Sequence, residues 1–232
     1  MLLRFCAAFI SAVVLGLSQP LVISYFASTP LDSTGLSGLL SFVGLVPFLL
    51  AMRGRRALSV LGYAFFMSVV QYSIVLYWIF IPLHVFGGVQ IVPSTILSLM
   101  LAGEVSVFIA LGAGAAQLLH LKLRWPVCLS YALSFCVAEY LRNYLPFGGF
   151  PWGSLGSSLA TIPLLRQSAS LIGVYGLTFI VVFVNGAIAD LLRKNSWRFK
   201  LIPLVIARRK GTKPTKDKSP LKPVLSRGVD AK

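Results

Sequence analysis

The chain is 232 residues long, 57% hydrophobic and only 12% charged, with a mean hydropathy of +0.85. About a quarter of the residues in a water-soluble domain are charged, so this composition excludes one. The formal net charge of +15 would suit a nucleic-acid binder, but 13 of the 21 Lys and Arg fall in residues 193–232, leaving the apolar bulk nearly uncharged.

A bilayer core takes about 20 apolar residues of helix to cross, and lipid offers no partner to a free backbone group. Six helical spans are predicted on that basis. The first covers 5–28, bent or broken at Gln19 and Pro20, where proline removes a backbone donor. Its apolar character runs on to Phe26 with no small-residue cleavage pattern, so it reads as an uncleaved anchor and not a secretory signal. The second covers 36–52, and the third, 57–80, contains no charge. The fourth, 91–119, has only Glu104 inside it; the fifth is 125–141 and the sixth 169–192. The fold expected is all-α, a polytopic membrane helical bundle over residues 1–198. Residues 199–232 are expected to form a disordered basic tail, since they are rich in Pro, Ser and Lys and show no periodic apolar face. Such a tail is drawn to an anionic cytoplasmic leaflet, and no nucleic-acid partner is expected.

Orientation follows from the basic residues, which favour the cytoplasmic side. Arg4, the Arg53, Arg55 and Arg56 group, Lys122 with Arg124, and Arg193 with Lys194 all fall on one side if six spans alternate. The N-terminus is then cytoplasmic. The opposite loops are "STPLDSTG", "IPLHVFGGVQ" and "NYLPFGGFPWGSLGSSLATIPLLRQ", and they face outward.

Signals of catalysis are sparse. Cys6, Cys128 and Cys136 fall inside predicted spans, where a thiol forms little thiolate and serves as a small packing residue. The histidines, His84 and His120, fall on opposite sides, and no CxxC, Gly-rich phosphate loop or GxSxG turn occurs. Neither a metal nor a cofactor is expected. Polar residues inside spans carry more weight, because burying them in lipid is costly. Glu104 is expected to hydrogen-bond a neighbouring helix through Gln71, Asn185 to join helices, and Asp190 to pair with Arg193 and Lys194. The densest cluster is "AEYLRNYLPFGGFPWGSLGSS", residues 138–158. Glu139 and Arg142 stand three apart on one helix face, which permits a local ion pair. Alternatively Arg142 meets an anionic headgroup, for which its planar fork is suited. Phe150 and Trp152 favour interfacial depth, Gly148 and Gly149 allow close backbone packing, and Pro151 stiffens the turn.

Several stretches together resemble the apolipoprotein N-acyltransferases of bacteria. They are E-x-L-R at 139–142 followed by GFPW at 149–152, and "GVYGLTFIVVFVNGAIADLL" at 173–192. "FVGLVPFLLAMRG" at 42–54 and "YWIFIPLHVFGG" at 77–88 add to them. The resemblance implies acyl transfer from a phospholipid to the α-amine of a diacylglyceryl lipoprotein at the outer face of the bacterial inner membrane. It also implies that Glu139, Arg142, Gly149, Phe150, Pro151 and Trp152 belong to the part facing the lipid substrates. Family members carry an extracytoplasmic nitrilase-like domain with a Glu-Lys-Cys catalytic set after a seventh helix. Here the apolar stretch near 199–207 is too short to span, and the three cysteines are at the wrong depth to replace the nucleophile. The expectation is a truncated membrane portion with no catalytic residue of its own, alone or completed by a separate nitrilase-like chain. Two other readings stand beside it. One is a non-catalytic lipid- or lipoprotein-binding membrane protein. The other, ranked last for want of repeats or paired broken helices, is a small transporter using Glu104 and Glu139 as a proton relay.

Overall fold

Lipid leaves the apolar runs no alternative to helix, and the chain follows that rule: its computed structural model is helical, with no strand among the described residues. Those are residues 1–20, 22, 36–146 and 148–192. The tail expected at 199–232 and most of the first outer loop lie outside them. In chain order the helices are α1 (Leu2–Leu17), α2 (Leu36–Gly44), α3 (Val46–Ala51), α4 (Ala57–Val75), α5 (Ile91–Lys122), α6 (Val127–Arg142) and α7 (Pro163–Leu192). A 3₁₀ turn at Tyr77–Ile79 and a π-type turn at Pro82–Phe86 follow α4, and a 3₁₀ segment at Leu155–Thr161 precedes α7.

Three helices, α4, α5 and α7, are long and apolar enough to cross a membrane. The apolar stretches Leu2–Leu17, Ser37–Ala51 and Tyr77–Phe86 are shorter. Three predicted spans differ in their interior. The second divides at Leu45 because Pro47 has no N–H to continue the ladder and instead opens α3 in its first turn. The third ends at Val75, passing into tighter and then wider turns before Gly87. The sixth starts earlier, at Pro163, and is interrupted at Gly173, whose φ of 68° and ψ of 176° are not helical.

Apolar side chains cover the outside, and the inside mixes small residues with larger ones such as Phe48, Met67 and Phe135. Leu58, Leu97, Met100, Leu111, Leu118 and Val137 point outward, while Ala8, Ala12, Ala64, Ala102, Ala113 and Ala132 are fully enclosed. Among alkyl side chains in lipid there is little hydrophobic drive to associate, so close approach of small residues and interhelical hydrogen bonds hold such bundles. The largest interfaces between helices are α1 with α4, α4 with α5, α5 with α6, and α6 with α7, and the short α2 and α3 lie against both α1 and α7.

Polar residues supply the cross-links. Gln117 near the end of α5 donates to the carbonyl of Arg55 at 2.8 Å and accepts from the Tyr131 hydroxyl at 3.1 Å. That contact sets the basic stretch 53–56 beside the end of α5, where Lys122 and Arg124 follow. Asn185 joins helices, as expected of it: its Oδ1 accepts the Leu45 N–H at 2.8 Å, and its Nδ2 donates to Ser41 and Val181 carbonyls at 2.8 Å each. The backbone group left over by the α2–α3 break is thereby satisfied from α7. Asp190 Oδ2 accepts the Cys128 N–H at 3.1 Å, in the first turn of α6 where an acid is favoured; Arg193 and Lys194, its expected partners, lie outside the described residues. Asn185→Val removes the acceptor of a buried backbone N–H, and a loss of about 1–2 kcal/mol is expected. Reversible unfolding in mixed micelles measures it, with Phe183→Leu, on the same helix, as the control.

Candidate functional site

The last turn of α6 carries two ionisable side chains, Glu139 and Arg142, with no exposed surface at all. Their spacing allows an ion pair, yet the hydrogen bonds of each go elsewhere. Glu139 Oε1 accepts the Leu155 N–H at 2.8 Å, and Oε2 accepts the Thr178 hydroxyl at 2.6 Å. Thr178 Oγ1 in turn accepts the Gly156 N–H at 2.9 Å. Because Gly156 can only donate, the single Thr178 proton is directed to Glu139, and both carboxyl oxygens act as acceptors. Leu155 and Gly156 open the 3₁₀ segment, whose first N–H groups have no partner within it. Glu139 therefore closes the start of that segment from another helix, where negative charge is favoured. Gly156 is required there: a Cβ would lie 2.8 Å from the Thr178 N atom.

Arg142 works on the residues just before. Its Nη1 donates to the Tyr72 hydroxyl at 2.8 Å and its Nη2 to Ser154 Oγ at 3.1 Å, with Cζ 5.5 Å from the Tyr72 ring centroid. Tyr72 passes its own proton to the Gly153 carbonyl at 3.3 Å. The guanidinium, phenol and carbonyl thus form a polarised chain of donors. The Arg142 carbonyl accepts the Phe150 N–H at 3.0 Å. From α1's end Gln19 donates to the Ser154 carbonyl at 3.2 Å and accepts from Ser157 Oγ at 2.9 Å. Nearly every residue from 150 to 157 is tied to a helix end. The entry to this segment needs Gly149 at φ 81°, a region that L side chains rarely adopt.

The six residues singled out in the sequence fall into two groups. Glu139 and Arg142 are interior anchors, and Gly149 and Phe150 are half-buried. Pro151 and Trp152 are exposed, and the Trp152 ring meets Trp78 edge-on at 5.6 Å between centroids. The anchors' partners Tyr72, Ser154 and Thr178 are not among the six, and neither is Gln19, which binds the same segment. Each is an uncharged polar residue in or beside an apolar run, and applying the cost of polarity in lipid to neutral side chains would have flagged them.

The remaining residues do not join this cluster through hydrogen bonds. Glu104 Oε1 and Gln71 Nε2 are both buried without a hydrogen bond, so the bond expected between them does not form. His84 Nδ1 lies 2.8 Å from the Val89 carbonyl and His120 Nδ1 2.7 Å from that of Trp125, each a local contact. Cys6 is exposed on α1, and Cys136 donates to the Tyr175 carbonyl at 3.2 Å. Among the described residues no group of three or more His, Cys, Asp or Glu could hold a metal ion. The polar atoms at the end of α6 are thus engaged in holding a loop, and what the arrangement offers a ligand is the loop's outer surface, with Pro151 and Trp152 on it. Thr178→Val should strip one donor from Glu139 and leave the Gly156 N–H unpaired, at about 2 kcal/mol for the local fold. Amide hydrogen exchange reads this as lost protection at Leu155 and Gly156, while Thr178→Ser, which keeps the hydroxyl, should restore it.

Comparison with known proteins bears on the same residues. A sequence model of the apolipoprotein N-acyltransferase N-terminal domain matches residues 11–187, which include the whole of this cluster. The apolipoprotein N-acyltransferase of Pasteurella multocida is 30% identical over 173 residues, 74% of this chain and 31% of that protein. Those of Brucella melitensis and Geobacter metallireducens are each 29% identical, over 79% and 80% of this chain and 34% and 33% of theirs. The chain thus spans about a third of the length of these curated relatives. It belongs to the apolipoprotein N-acyltransferase family, of which it carries the N-terminal domain.

Proposed function

We propose that this chain is the membrane platform of an apolipoprotein N-acyltransferase. In this reading it gathers a phospholipid acyl donor and a diacylglyceryl lipoprotein acceptor at the outer face of the bacterial inner membrane. A nitrilase-like part, on the same polypeptide or a separate chain, supplies the nucleophile that carries the acyl group between them. The observation that carries the reading is the buried Glu139 and Arg142 pair, which fixes the 150–157 segment while leaving Pro151 and Trp152 exposed. A lipid headgroup or glyceryl ester meets an indole and a proline held at fixed height. Glu139 and Arg142 face the substrate through the loop they hold. A loop already ordered before binding loses little conformational freedom on meeting its ligand.

The membrane arrangement belongs to the same proposal. Six crossings put the N-terminus and the loops of Arg53, Arg55, Arg56, Lys122 and Arg124 in the cytoplasm, and the Trp152 loop outside. The contact of Gln117 with Arg55 supports it, since it gathers basic residues at the ends of α4 and α5 remote from Tyr72. A cysteine at Pro151, with Cys6, Cys128 and Cys136 replaced, should react with an impermeant maleimide in intact spheroplasts. One at Leu123 should react only after lysis. The reverse pattern would exclude an outward-facing site.

Lipid contact is checked by a phospholipid with a photoreactive headgroup, reconstituted with the chain and mapped by peptide. Trp152→Ala removes the exposed ring and Arg142→Ala releases the loop, so both should lower labelling of the 144–157 region. Arg166→Ala, at an exposed position on α7, should not. Equal labelling in all three variants sinks the platform, and the reading as a transporter gains by it.

A further inference from the structure

One side of Arg142 is unaccounted for by the loop. Its Nε is buried without a hydrogen bond, although both other nitrogens are engaged. Three more polar atoms share that condition on the helices next to it: Ser68 Oγ and Gln71 Nε2 on α4, and Glu104 Oε1 on α5. Ser68, Gln71 and Tyr72 are three and four residues apart, so they line one face of α4, and all three are buried. Tyr72 on that face touches Arg142 directly. Gly112 of α5 packs on Ser134 and Ala138 of α6, and Gly114 of α5 on Ala57 and Leu61 of α4, so about two turns further along α5 Glu104 lies level with Gln71 of α4 and Arg142 of α6. The register of α4, α5 and α6 thus brings a guanidinium N–H, an amide NH₂, a hydroxyl and a carboxyl oxygen to one level of the bundle.

An unpaired buried polar atom is costly, and four around one place are four times so. Their chemistry is complementary in kind: Arg142 and Gln71 offer donors, Glu104 an acceptor, and Ser68 either. A water molecule needs two to four such partners, and buried waters in proteins are found where side chains provide them. We propose that Ser68, Gln71, Glu104 and Arg142 Nε form an internal water site, and that Glu104 acts through it as a positioning residue for Arg142. Glu139 has both oxygens committed to Leu155 and Thr178, so Glu104 supplies the acceptor side that the guanidinium lacks. The Tyr72 and Ser154 bonds aim the guanidinium at the loop, and the hydrated Glu104 carboxyl holds its opposite edge. The inference rests on the geometry of the anchors and not on the acyl-transfer reading; it stands or falls whatever the loop binds.

Two measurements test it on the full chain in liposomes. Solid-state NMR with ¹⁵N-labelled glutamine should show magnetisation passing from water protons to the Gln71 side-chain amide, and Glu104→Leu should abolish it. A dry Gln71 amide in the unaltered protein overturns the water site. The second measurement uses Leu155→Cys, a buried position in the anchored segment, with Cys6, Cys128 and Cys136 replaced by alanine. Maleimide labelling then reports how often the segment opens. Glu104→Leu should raise the rate about twofold or more, on the scale of coupling within one polar network. Glu104→Gln, which keeps an acceptor oxygen, should fall between. In an Arg142→Met background Glu104→Leu should add nothing. If the two effects multiply, or if folded Glu104→Leu labels at the starting rate, Glu104 does not act through Arg142. Should Glu104→Leu fail to fold, Ser68→Ala, which removes one hydroxyl, decides by the same cycle with Arg142→Met.

Discussion

A buried carboxyl group and guanidinium depend on partners that the packed helices hold in place, because bulk solvent does not reach them. Glu139 and Arg142 obey that constraint by reaching for different parts of the same segment. The carboxyl takes the N–H of Leu155 and, through Thr178, that of Gly156; the guanidinium takes Ser154 and, through Tyr72, the Gly153 carbonyl. Mutual pairing would have satisfied the charges just as well. Sharing them out also orients a stretch of chain whose apolar contacts come from Phe150 and Leu155. Removing either side chain strands its own partners, and because Ser154, Leu155 and Gly156 are consecutive the two act on one stretch of chain despite having no direct bond.

The bundle around them is built to tolerate this. Small side chains bring α4, α5, α6 and α7 close, and isolated polar residues bridge the few places where the backbone breaks. Asn185 at the Leu45 break and Asp190 at the start of α6 are instances of one device, a side chain on α7 completing another helix's backbone. Such bonds contribute modestly one by one in a membrane, where the separated helices find alternatives. Here they serve chiefly to fix register, because an unpaired N–H penalises any helix that slides.

Much of the architecture was legible in the sequence. Hydropathy marked α4, α5 and α7, since long runs with few charges have one structural outcome in lipid. Glu139 and Arg142 stood out because charge is rare against an apolar background, and the GFPW stretch because glycine, proline and aromatics crowd together there. What hydropathy could not show is where a helix gives way without changing its polarity, as at Leu45 and Gly173. Nor could spacing show the anchors' partners. Tyr72 is 70 residues from Arg142 and Thr178 39 from Glu139, separations that only the packed helices bring together. The i, i+3 pairing of Glu139 and Arg142 misled for the same reason: local geometry permits an ion pair, and distant partners outcompete it.

The Gly173 interruption also bears on how the chain fits its bilayer. An unbroken helix of the full 30 residues would extend about 45 Å at 1.5 Å per residue, well beyond a hydrocarbon core about 30 Å thick. Such an excess is relieved by tilting the helix or by thickening the lipid around it, both at a cost. Turning the backbone at Gly173 divides the length instead, leaving 174–192 as a piece of about 28 Å. That piece is about as long as the core is thick, and Thr178 lies little more than a turn from its N-terminal end. Thr178, which bonds Glu139, thus sits close to the end of that piece, where a mismatch between helix length and lipid thickness is felt first.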